Sequence, residues 1–504
     1  MDRSKGLDRL LSESLWDILI IGGGATGLGA ALDAASRGHS VALIESQDFA
    51  SGTSSRSTKL VHGGVRYLKQ GNLSLVRGAL RERGLLLQNA PHLVKPLPFV
   101  IPSRHWPERT YFATGLRFYD WLAGGLGIKK TQALSQAETL KAIPCLATEN
   151  LYGGVQYWDG QFDDARLAID LATTTWEYGG LALNYVKADE LIMENGRIAG
   201  AVCSDQLGNR SFDIRARCVI NATGVFSDEI RRMDNPQAIG FITASQGAHI
   251  VVDQERLPMK SALIVPKTSD GRVLFAIPWY NRVIIGTTDT PVDSIEKRPK
   301  PFTDEIGFIL DNARHYLSVE IDSSDIKSAY AGLRPLVNLN SKGAATSRIS
   351  RDHHIEISDT GLISIAGGKW TTYRKMGEDV IDKAEESSEL EARSCQTENL
   401  KIQSHFPKAE SPPLHANLPY TSDQLQTSID LEMAMTIEDI LARRLRATVL
   451  DNKTSLELAN CAADRLIAAD RLREVDKARA VEEFQAANRV DLNSLPCLAK
   501  PHRH

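Results

Sequence analysis

The chain has 504 residues, of which 42% are hydrophobic and 24% charged, and its formal net charge is −4. This length exceeds what a single hydrophobic core supports, so we expect two or three domains of an ordinary globular protein. The slightly acidic balance excludes a dedicated nucleic-acid-binding protein, which needs a basic surface to neutralise phosphates.

The six cysteines are scattered along the chain, and no two of them form a CxxC pair. They therefore predict neither a disulfide framework nor a metal site, and they favour a reducing compartment such as the cytoplasm. No apolar run approaches the roughly 18–20 residues that a membrane-spanning helix needs. Residues 1–17 contain acidic side chains and no continuous apolar stretch, so we expect no secretory signal there. Any contact with a membrane is expected to be peripheral.

The first predicted unit is a strand, a helix and a second strand. Residues 16–21 (WDILII) form a continuous apolar run, which is typical of a buried parallel strand. A glycine turn follows, and the small residues of 25–37 predict a helix that ends at Gly38. Residues 40–44 (SVALI) predict the second strand, which leads directly into Glu45.

The rest of the chain divides by composition and period. A polar, glycine-rich stretch at 48–64 predicts an ordered functional loop. Periodicity predicts further helices and strands, which are expected at 73–90 and 165–179 (helices) and near 181–186, 198–204 and 215–221 (strands). Short alternating strands between 240 and 365 predict an antiparallel sheet. The proline-containing stretch 396–420 predicts a linker, and 421–490 has helical spacing.

The glycine turn after the first strand predicts a dinucleotide site. Gly22, Gly24 and Gly27 match GxGxxG between a strand and a helix, the context that this motif requires. Gly22 permits the tight turn, Gly24 lets the backbone approach a pyrophosphate, and Gly27 allows close packing of helix on strand. The helix that opens at Ala25 and Thr26 offers free N–H groups to phosphate, and Glu45 stands where a carboxylate binds ribose hydroxyls.

Two later segments favour FAD over NAD. Residues 219–224 (VINATG) are an apolar strand that ends in Ala222-Thr223-Gly224, and 362–368 (LISIAGG) are a late apolar strand that ends in a glycine pair. Each glycine-rich end suits a further backbone approach to a long cofactor. Together with the first turn they resemble the FAD-binding half of the glutathione-reductase-like flavoproteins, in the glycine and D-amino acid oxidase branch.

Several longer motifs narrow the resemblance. The motifs are IGGGATGLGAALDAASRG (21–38), TSSRSTKLVHGGVRYL (53–68), DDARL (163–167), IIGTTDT (284–290), AGLRPL (331–336) and GGKWTTYRK (367–375). They resemble the FAD-dependent, quinone-linked glycerol-3-phosphate dehydrogenases over residues 16–385, and the resemblance resumes at 437–451 (IEDILARRLRATVLD). Residues 395–436 look shortened relative to that family.

The resemblance implies an α/β FAD-binding domain made of discontinuous segments, an antiparallel-sheet substrate domain and a small C-terminal helical domain. The expected ranges are 16–95, 151–235 and 350–390 for the FAD-binding domain, 96–150 and 236–349 for the substrate or cap domain, 391–420 for the linker and 421–504 for the helical domain. FAD is expected to be bound non-covalently. The shortened segment bears on the C-terminal packing and on any homodimer or membrane contacts made there.

The expected substrate, glycerol 3-phosphate, carries a phosphate dianion that needs converging cations. Arg66, Arg334 and Lys369 lie in the resembling motifs, and Tyr67 adjoins the first of them. Arginine suits bidentate phosphate binding, whereas lysine acts as a point charge. Lys369 has a second possible role, which is to stabilise negative charge on the reduced flavin.

The hydroxyl proton of the substrate needs an acceptor, and histidine has the appropriate pKa. His62 lies in the HGG turn and His249 on a predicted strand, and the resemblance implies that both lie near substrate. Sequence alone does not choose between them. The resemblance also implies a larger set of FAD contacts, which are expected at Thr53, Ser54, Ser57, Thr58, Gly63, Gly64, Val186, Gly332, Gly368, Thr371 and Thr372.

Residues 104–130 interleave basic and aromatic side chains. This pattern fits a peripheral membrane surface on the inner face of the cell membrane, and it equally fits a buried cap helix over the active site. Three functions remain open. They are a respiratory dehydrogenase that passes electrons from C2 of glycerol 3-phosphate through FAD N5 to quinone, an oxidase that uses oxygen, and a non-catalytic flavin-binding protein. An amino acid oxidase would need one carboxylate-binding arginine instead of several cations.

Overall fold

The structure is a computed structural model that describes residues 1–69, 71–266, 268, 272–338 and 353–489, with the side chains of Arg66 and Lys69 outside the described set. The strands in chain order are β1 (Trp16–Ile21), β2 (Val41–Glu45), β3 (Leu60–Val61), β4 (Lys95–Ser103), β5 (Gln132–Ser135), β6 (Gly153–Gln161), β7 (Leu181–Asn184), β8 (Val186–Glu194), β9 (Arg197–Asp205), β10 (Arg210–Asn221), β11 (Ile242–Asp253), β12 (Ala262–Val265), β13 (Leu274–Trp279), β14 (Arg282–Gly286), β15 (Thr290–Pro291), β16 (Ile326–Val337), β17 (His353–Ile357) and β18 (Ile363–Gly367).

Helices connect and cover these strands. In chain order they are α1 (Arg3–Ser12), α2 (Ala25–Arg37), α3 (Val65–Lys69), α4 (Leu73–Asn89), α5 (Trp106–Ala123), α6 (Gln136–Ala142), α7 (Asp164–Glu177), α8 (Ser227–Asp234), α9 (Thr303–Tyr316), α10 (Tyr373–Ser387), α11 (Ser422–Asp430), α12 (Ala447–Leu450), α13 (Asn452–Glu457), α14 (Ala459–Ala468) and α15 (Lys477–Asn488). A π-helical turn, Asp439–Arg444, lies between α11 and α12.

The first sheet is built on parallel strands in the order β18-β10-β1-β2-β7. β17 joins its edge antiparallel to β18, and β8 and β9 extend β10 as an antiparallel ribbon. Strand β1 is almost entirely buried, as its continuous apolar sequence predicts. In the register, Ile21 pairs with Asn221 and Asn221 with Ser364, so β1 and β10 end level with each other, beside β18, which continues to Gly367.

Helices α2 and α10 cross closely over the first sheet, and glycines make this possible. A Cβ on Gly29 would lie 2.8 Å from the carbonyl oxygen of Tyr373, and one on Gly377 would lie 2.7 Å from the backbone of Gly29. The two helix backbones therefore touch without intervening side chains. This contact fixes α2, whose N-terminus follows the glycine turn, relative to β18.

The second sheet is largely antiparallel and has the order β15-β11-β14-β13-β12-β4-β6-β3, with β16 paired to β11 and β5 paired to β6. One apolar cluster beneath it includes residues of α9, and another joins it to α4 and α5. β3 and β6 belong to this sheet, although they lie in the ranges 16–95 and 151–235 expected for the FAD-binding domain.

The C-terminal helices share a core with the second sheet. Trp279 and Ile284 of the sheet pack in one cluster with Ile440, Leu445 and other apolar residues of the C-terminal segment. Residues 391–420, the expected linker, contain no helix and lie along α4 and α7, where the Ile402 amide donates to the Asn89 carbonyl at 2.9 Å. The expected α/β domain, antiparallel sheet and C-terminal helices are thus all present.

The crossing of α2 and α10 gives a prediction for stability. Gly29→Ala should lower the free energy of unfolding by about 1–3 kcal/mol, because the added methyl group overpacks the helix crossing. Gly78→Ala is the matched control, since Gly78 lies in α4 and a Cβ there meets nothing within 4 Å. The control should raise the free energy of unfolding by about 0.5–1 kcal/mol through helix propensity. Urea unfolding measures both; stabilisation by both variants would contradict the close crossing.

Candidate active site

The glycine turn after β1 brings backbone very close to backbone. Gly22 has φ +114°, and a Cβ there would lie 2.7 Å from the Ala222 carbonyl oxygen. A Cβ on Gly27 would lie only 1.9 Å from the Gly22 carbonyl oxygen. Gly27 therefore serves helix–strand packing, while Gly24 precedes α2 in extended conformation and no side chain of its own caps the helix. The Ala25 amide donates a hydrogen bond to the Ser54 hydroxyl at 2.9 Å.

Glu45 closes the other side of the turn. Its Oε2 accepts from the Gly23 amide at 2.7 Å, and its Oε1 accepts from the Gln47 amide at 2.8 Å. Burial raises the pKa of the Glu45 carboxyl, and these two amide hydrogen bonds oppose the rise. The carboxylate is thus tied to both the glycine turn and the segment after β2, which fixes its position at the end of that strand.

The three strand ends line one cavity, which we call the cofactor cavity. Of the expected FAD contacts, those that line it are Gly22, Gly24, Ala25, Thr26, Glu45, Thr53, Ser54, Val186, Ala222, Thr223, Gly224, Gly368 and Lys369. Gly224 has φ +63°, and a Cβ there would stand in open space; the same holds for a Cβ on Gly52. The cavity therefore has bare backbone where a cofactor must approach, a helix N-terminus and a carboxylate, and these residues fit FAD.

Other expected FAD contacts lie outside this cavity. Ser57 donates to an Asp164 carboxylate oxygen at 2.7 Å, and the Gly63 amide donates to the Tyr119 hydroxyl at 2.8 Å. Gly332 packs against Arg56. Thr371 and Thr372 hydrogen-bond within the protein. The Thr371 hydroxyl accepts from the His62 amide at 3.1 Å, and the Thr372 hydroxyl donates to the Lys369 carbonyl at 3.2 Å. Thr58 and Gly64 line a second cavity instead.

This second cavity, which we call the substrate chamber, lies between the second sheet and α5. Its volume is about 840 Å³, in the range of about 300–1,000 Å³ typical of small-molecule sites. Expected substrate residues His62, Tyr67 and Arg334 line it. Arg66 belongs to α3 beside these residues, but its side chain lies outside the described set.

Arg334 is held in a fixed orientation on β16. Its Nη2 donates to the Thr287 hydroxyl and to the Thr288 carbonyl, each at 2.9 Å. Its Nη1 lies 3.4 Å from Asp289 Oδ1, and donates to the Gln246 carbonyl at 3.3 Å. The turn after β14, whose residues line the chamber together with Arg334, thus fixes the guanidinium.

Lys369 and Tyr67 mark the boundary between the two cavities. Lys369 lines the cofactor cavity, Tyr67 lines the substrate chamber, and the lysine Nζ lies 4.1 Å from the centroid of the Tyr67 ring. Such an arrangement is a cation–π contact. A positive charge therefore lies at the junction, where it can serve a cofactor on one side and a substrate anion on the other.

The two candidate histidines have different surroundings. His62 lines the substrate chamber. His249 is buried on β11, stacks on Tyr330 at 4.8 Å between ring centroids, and hydrogen-bonds through Nε2 with the Thr58 hydroxyl at 3.0 Å. Burial holds the pKa of His249 well below its ordinary value, and the nearby charges of Lys59 and Arg334 lower it further. His249 reaches the chamber through Thr58.

Helix α5 carries most of the aromatic side chains of residues 104–130. Tyr111 and Phe118 line the substrate chamber, while Trp106 and Trp121 are 59% and 72% exposed. The helix therefore borders the chamber, and Trp121 lies beside it, because its ring stacks on Phe118 with 5.5 Å between ring centroids. No helix within the described parts of the chain is long and apolar enough to cross a bilayer.

Sequence reasoning did not identify two further groups of the chamber. Arg272 lines it close to the start of β13, and it belongs to none of the motifs that the sequence offers. Asp159 lines it from β6 and is buried with Arg83 and Tyr119: Arg83 Nη1 lies 2.7 Å from Asp159 Oδ1, and the Tyr119 hydroxyl donates to Oδ2 at 2.8 Å. Burial raises the pKa of Asp159, and the charge of Arg83 opposes the rise. These residues come from three separate elements, so no local pattern could signal them.

Comparisons with known proteins agree with this geometry. The family model described as FAD dependent oxidoreductase matches residues 17–374. The mitochondrial glycerol-3-phosphate dehydrogenase of Macaca fascicularis is 45% identical over 431 residues, which is 82% of this chain and 59% of the relative. That of Saccharomyces cerevisiae is 42% identical over 437 residues, 79% of this chain and 67% of the relative.

Among solved structures, glycerol-3-phosphate dehydrogenase from Bacillus halodurans complexed with FAD superposes with a TM-score of 0.77 at 31% identity, covering 96% of this chain and 97% of that one. The chain spans about three fifths of the length of the first mammalian relatives that it matches. The length of the family match and the identity to the bacterial structure together decide the assignment: the chain belongs to the family of FAD-dependent oxidoreductases.

Proposed function

We propose that the chain oxidises sn-glycerol 3-phosphate to dihydroxyacetone phosphate with FAD as the first electron acceptor, and passes the electrons on to quinone. The relatives that are 42–45% identical carry the name glycerol-3-phosphate dehydrogenase. The observation that carries the proposal is the junction between the two cavities. There Lys369 lines the cofactor side, and Tyr67 and Arg334 line the chamber side.

The chain's own residues supply binding, orientation and proton transfer. When bound, FAD supplies a hydride acceptor at N5 of its flavin ring. Arg334 binds the substrate phosphate with its anchored guanidinium, Lys369 adds a point charge at the junction, and Arg66 is expected to join them. His62 accepts the C2 hydroxyl proton in this proposal, because it lines the chamber directly whereas His249 reaches it only through Thr58.

Quinone as the acceptor is supported by the apolar part of the chamber. Beyond the polar groups, its wall is built from apolar side chains, among them Phe99, Ile101, Phe112, Leu116, Ile264 and Phe275. Such a wall is larger than a three-carbon phosphate requires, and it suits an apolar ring. The exposed tryptophans of α5 support contact with a membrane surface, where quinones reside. We therefore propose a cytoplasmic enzyme that is peripheral on the inner face of the cell membrane.

The first test is anaerobic addition of glycerol 3-phosphate to the FAD-loaded protein. The oxidised-flavin absorption should bleach within a turnover, since the substrate carries both the phosphate for Arg334 and the hydroxyl for His62. Glycerol at the same concentration is the control and should bleach far more slowly, because it lacks the phosphate. An unbleached flavin after addition of glycerol 3-phosphate would overturn this compound as the substrate.

In steady state, turnover should require a quinone analogue, and oxygen consumption without it should stay at background. Sustained peroxide formation at the same rate in the absence of the analogue would instead identify an oxidase.

The role of Arg334 can be tested separately. Arg334→Ala should raise the KM for glycerol 3-phosphate by the equivalent of about 2–4 kcal/mol of binding free energy, because a charge-assisted contact to phosphate is lost. Arg256→Ala is the control, since Arg256 forms an exposed ion pair with Asp325 at 3.1 Å on the same sheet domain. Steady-state kinetics measure both, and an unchanged KM in Arg334→Ala would remove this residue from the phosphate site.

The proposed contact with a membrane is tested at the exposed tryptophans of α5, Trp106 and Trp121. Trp106→Ser combined with Trp121→Ser should weaken sedimentation with anionic phospholipid vesicles about tenfold, because the exposed apolar area is lost. Trp121 stacks on the chamber-lining Phe118, so the single variant Trp106→Ser is the control, and its turnover with a water-soluble quinone analogue should stay at the parent level. Undiminished sedimentation of the double variant would place membrane contact elsewhere.

A further inference from the structure

We propose that the C-terminal helical segment clamps the loop that wraps FAD, and that Asp48 and Asp164 are the positioning residues through which it does so. We call residues 46–59, which lie between β2 and β3, the cofactor loop. The inference rests on the chain's membership of the FAD-dependent family and not on the identity of its substrate. It concerns how the protein retains and orients its cofactor.

The inner side of the cofactor loop forms the cavity wall. Residues 50–54 line the cofactor cavity. The Ala50 amide donates to the Gly23 carbonyl at 2.9 Å, and the Ser54 hydroxyl accepts a hydrogen bond from the Ala25 amide at 2.9 Å. The loop therefore holds both the glycine turn and the N-terminus of α2. At its far end Thr58 lines the substrate chamber, so a shift of this loop would disturb both cavities.

The outer side of the loop is anchored by Asp48, which is completely buried and lines neither cavity. Arg443 Nε lies 2.5 Å from its Oδ2, and Arg444 contacts both carboxylate oxygens, donating through Nη2 to Oδ1 at 3.0 Å. Asn184 adds a third donor at 3.0 Å. Burial alone would raise the pKa of Asp48, but Arg444 and Arg443 hold it below its ordinary value, so the carboxylate stays charged.

A second anchor holds the end of the loop. Asp164, at the start of α7, accepts from Lys59 Nζ at 2.6 Å and from Arg446 Nη2 at 2.9 Å. The Lys59 ammonium and the Arg446 guanidinium also both donate to the Ser55 carbonyl, at 2.8 and 2.9 Å. The Asp164 carboxylate thus binds both the cofactor loop, through Lys59, and the C-terminal segment, through Arg446. Burial lowers the pKa of Lys59 to about 8, and Asp164 opposes this shift.

These anchors indicate positioning more than stabilisation. Buried ion pairs gain little net free energy over apolar contacts, because both charges lose their hydration. They do impose one geometry, since each carboxylate has its donors in fixed directions. Arg443, Arg444 and Arg446 follow the loop by nearly four hundred positions, and none of the three lines either cavity. We infer that the ion pairs of these three arginines fix the cofactor loop on the side away from the cofactor cavity.

A clamp of this kind makes FAD binding and docking of the C-terminal segment mutually dependent. If the clamp favours the loop conformation that binds FAD, then bound FAD must favour the clamped C-terminal segment by the same factor. If the interface between these segments were only structural, breaking it would lower the stability of the protein and leave its affinity for FAD unchanged. The two roles are therefore separable by cofactor affinity.

The test uses Asp48→Asn in the full-length protein, which keeps the side-chain shape and removes the charge. The dissociation constant for FAD, measured by flavin fluorescence, should rise about tenfold or more, within the range of about 5–150-fold typical of coupled sites. Asp451→Asn is the control, because Asp451 is also a buried aspartate and pairs with Arg282 at 3.3 Å between the C-terminal segment and β14. It should change the FAD dissociation constant by less than about twofold while lowering the melting temperature. Equal effects of the two variants on FAD affinity would overturn the proposal.

A second measurement needs no variant and covers the case in which Asp48→Asn fails to fold. Hydrogen exchange of the parent protein is compared with and without FAD over residues 439–446, which lie outside the cofactor cavity. FAD should slow exchange in this segment as well as in the cofactor loop. Slowing confined to the residues that line the cavity, with none in 439–446, would overturn the clamp.

Discussion

Parallel pairing of three strands in one register is the constraint on which the site depends. Because β1 pairs with β10 and β10 with β18, the segments that follow these strands emerge together at one edge of the sheet. Each continues into glycine-containing backbone: Gly22 after β1, Gly224 after β10 and Gly368 after β18. A shift of one pairing would separate these ends and abolish the cavity. The close helix crossing of α2 on α10 then holds the N-terminus of α2 against that edge.

The second sheet adds a chamber beside the cofactor cavity. It places Arg334 and His62 on a chamber that meets the cofactor cavity at Lys369 and Tyr67. Helix α5 borders that chamber, and its exposed Trp121 stacks on the chamber-lining Phe118. As far as residue 489, where the described part of the chain ends, the C-terminal segment lines neither cavity, yet its arginines reach the cofactor loop. The cofactor cavity, the substrate chamber and the C-terminal segment thus all contact the cofactor loop.

Much of the fold could be predicted because its signals are local. The apolar run 16–21 with its glycine turn and the strand ends at 219–224 and 362–368 each carry their pattern within a few residues, and the structure brings these three segments to one sheet edge. Residues that act through distant partners gave no such pattern. Asp48 needs Arg443 and Arg444, nearly four hundred positions away, and Asp159 acquires its partners only when β6, α4 and α5 pack. Spacing also could not rank His62 against His249, since burial behind Thr58 is a property of the folded sheet.

The central claim is that FAD lies along the edge of the first sheet and that glycerol 3-phosphate lies in the adjoining chamber with its phosphate on Arg334. A crystal structure of the full-length protein with FAD and with glycerol 3-phosphate, frozen under anaerobic conditions, tests it most directly. The account predicts flavin density at the junction beside Lys369 and phosphate density within hydrogen-bonding distance of the Arg334 guanidinium. Substrate density anywhere outside the substrate chamber, or a flavin ring remote from Lys369, would contradict it.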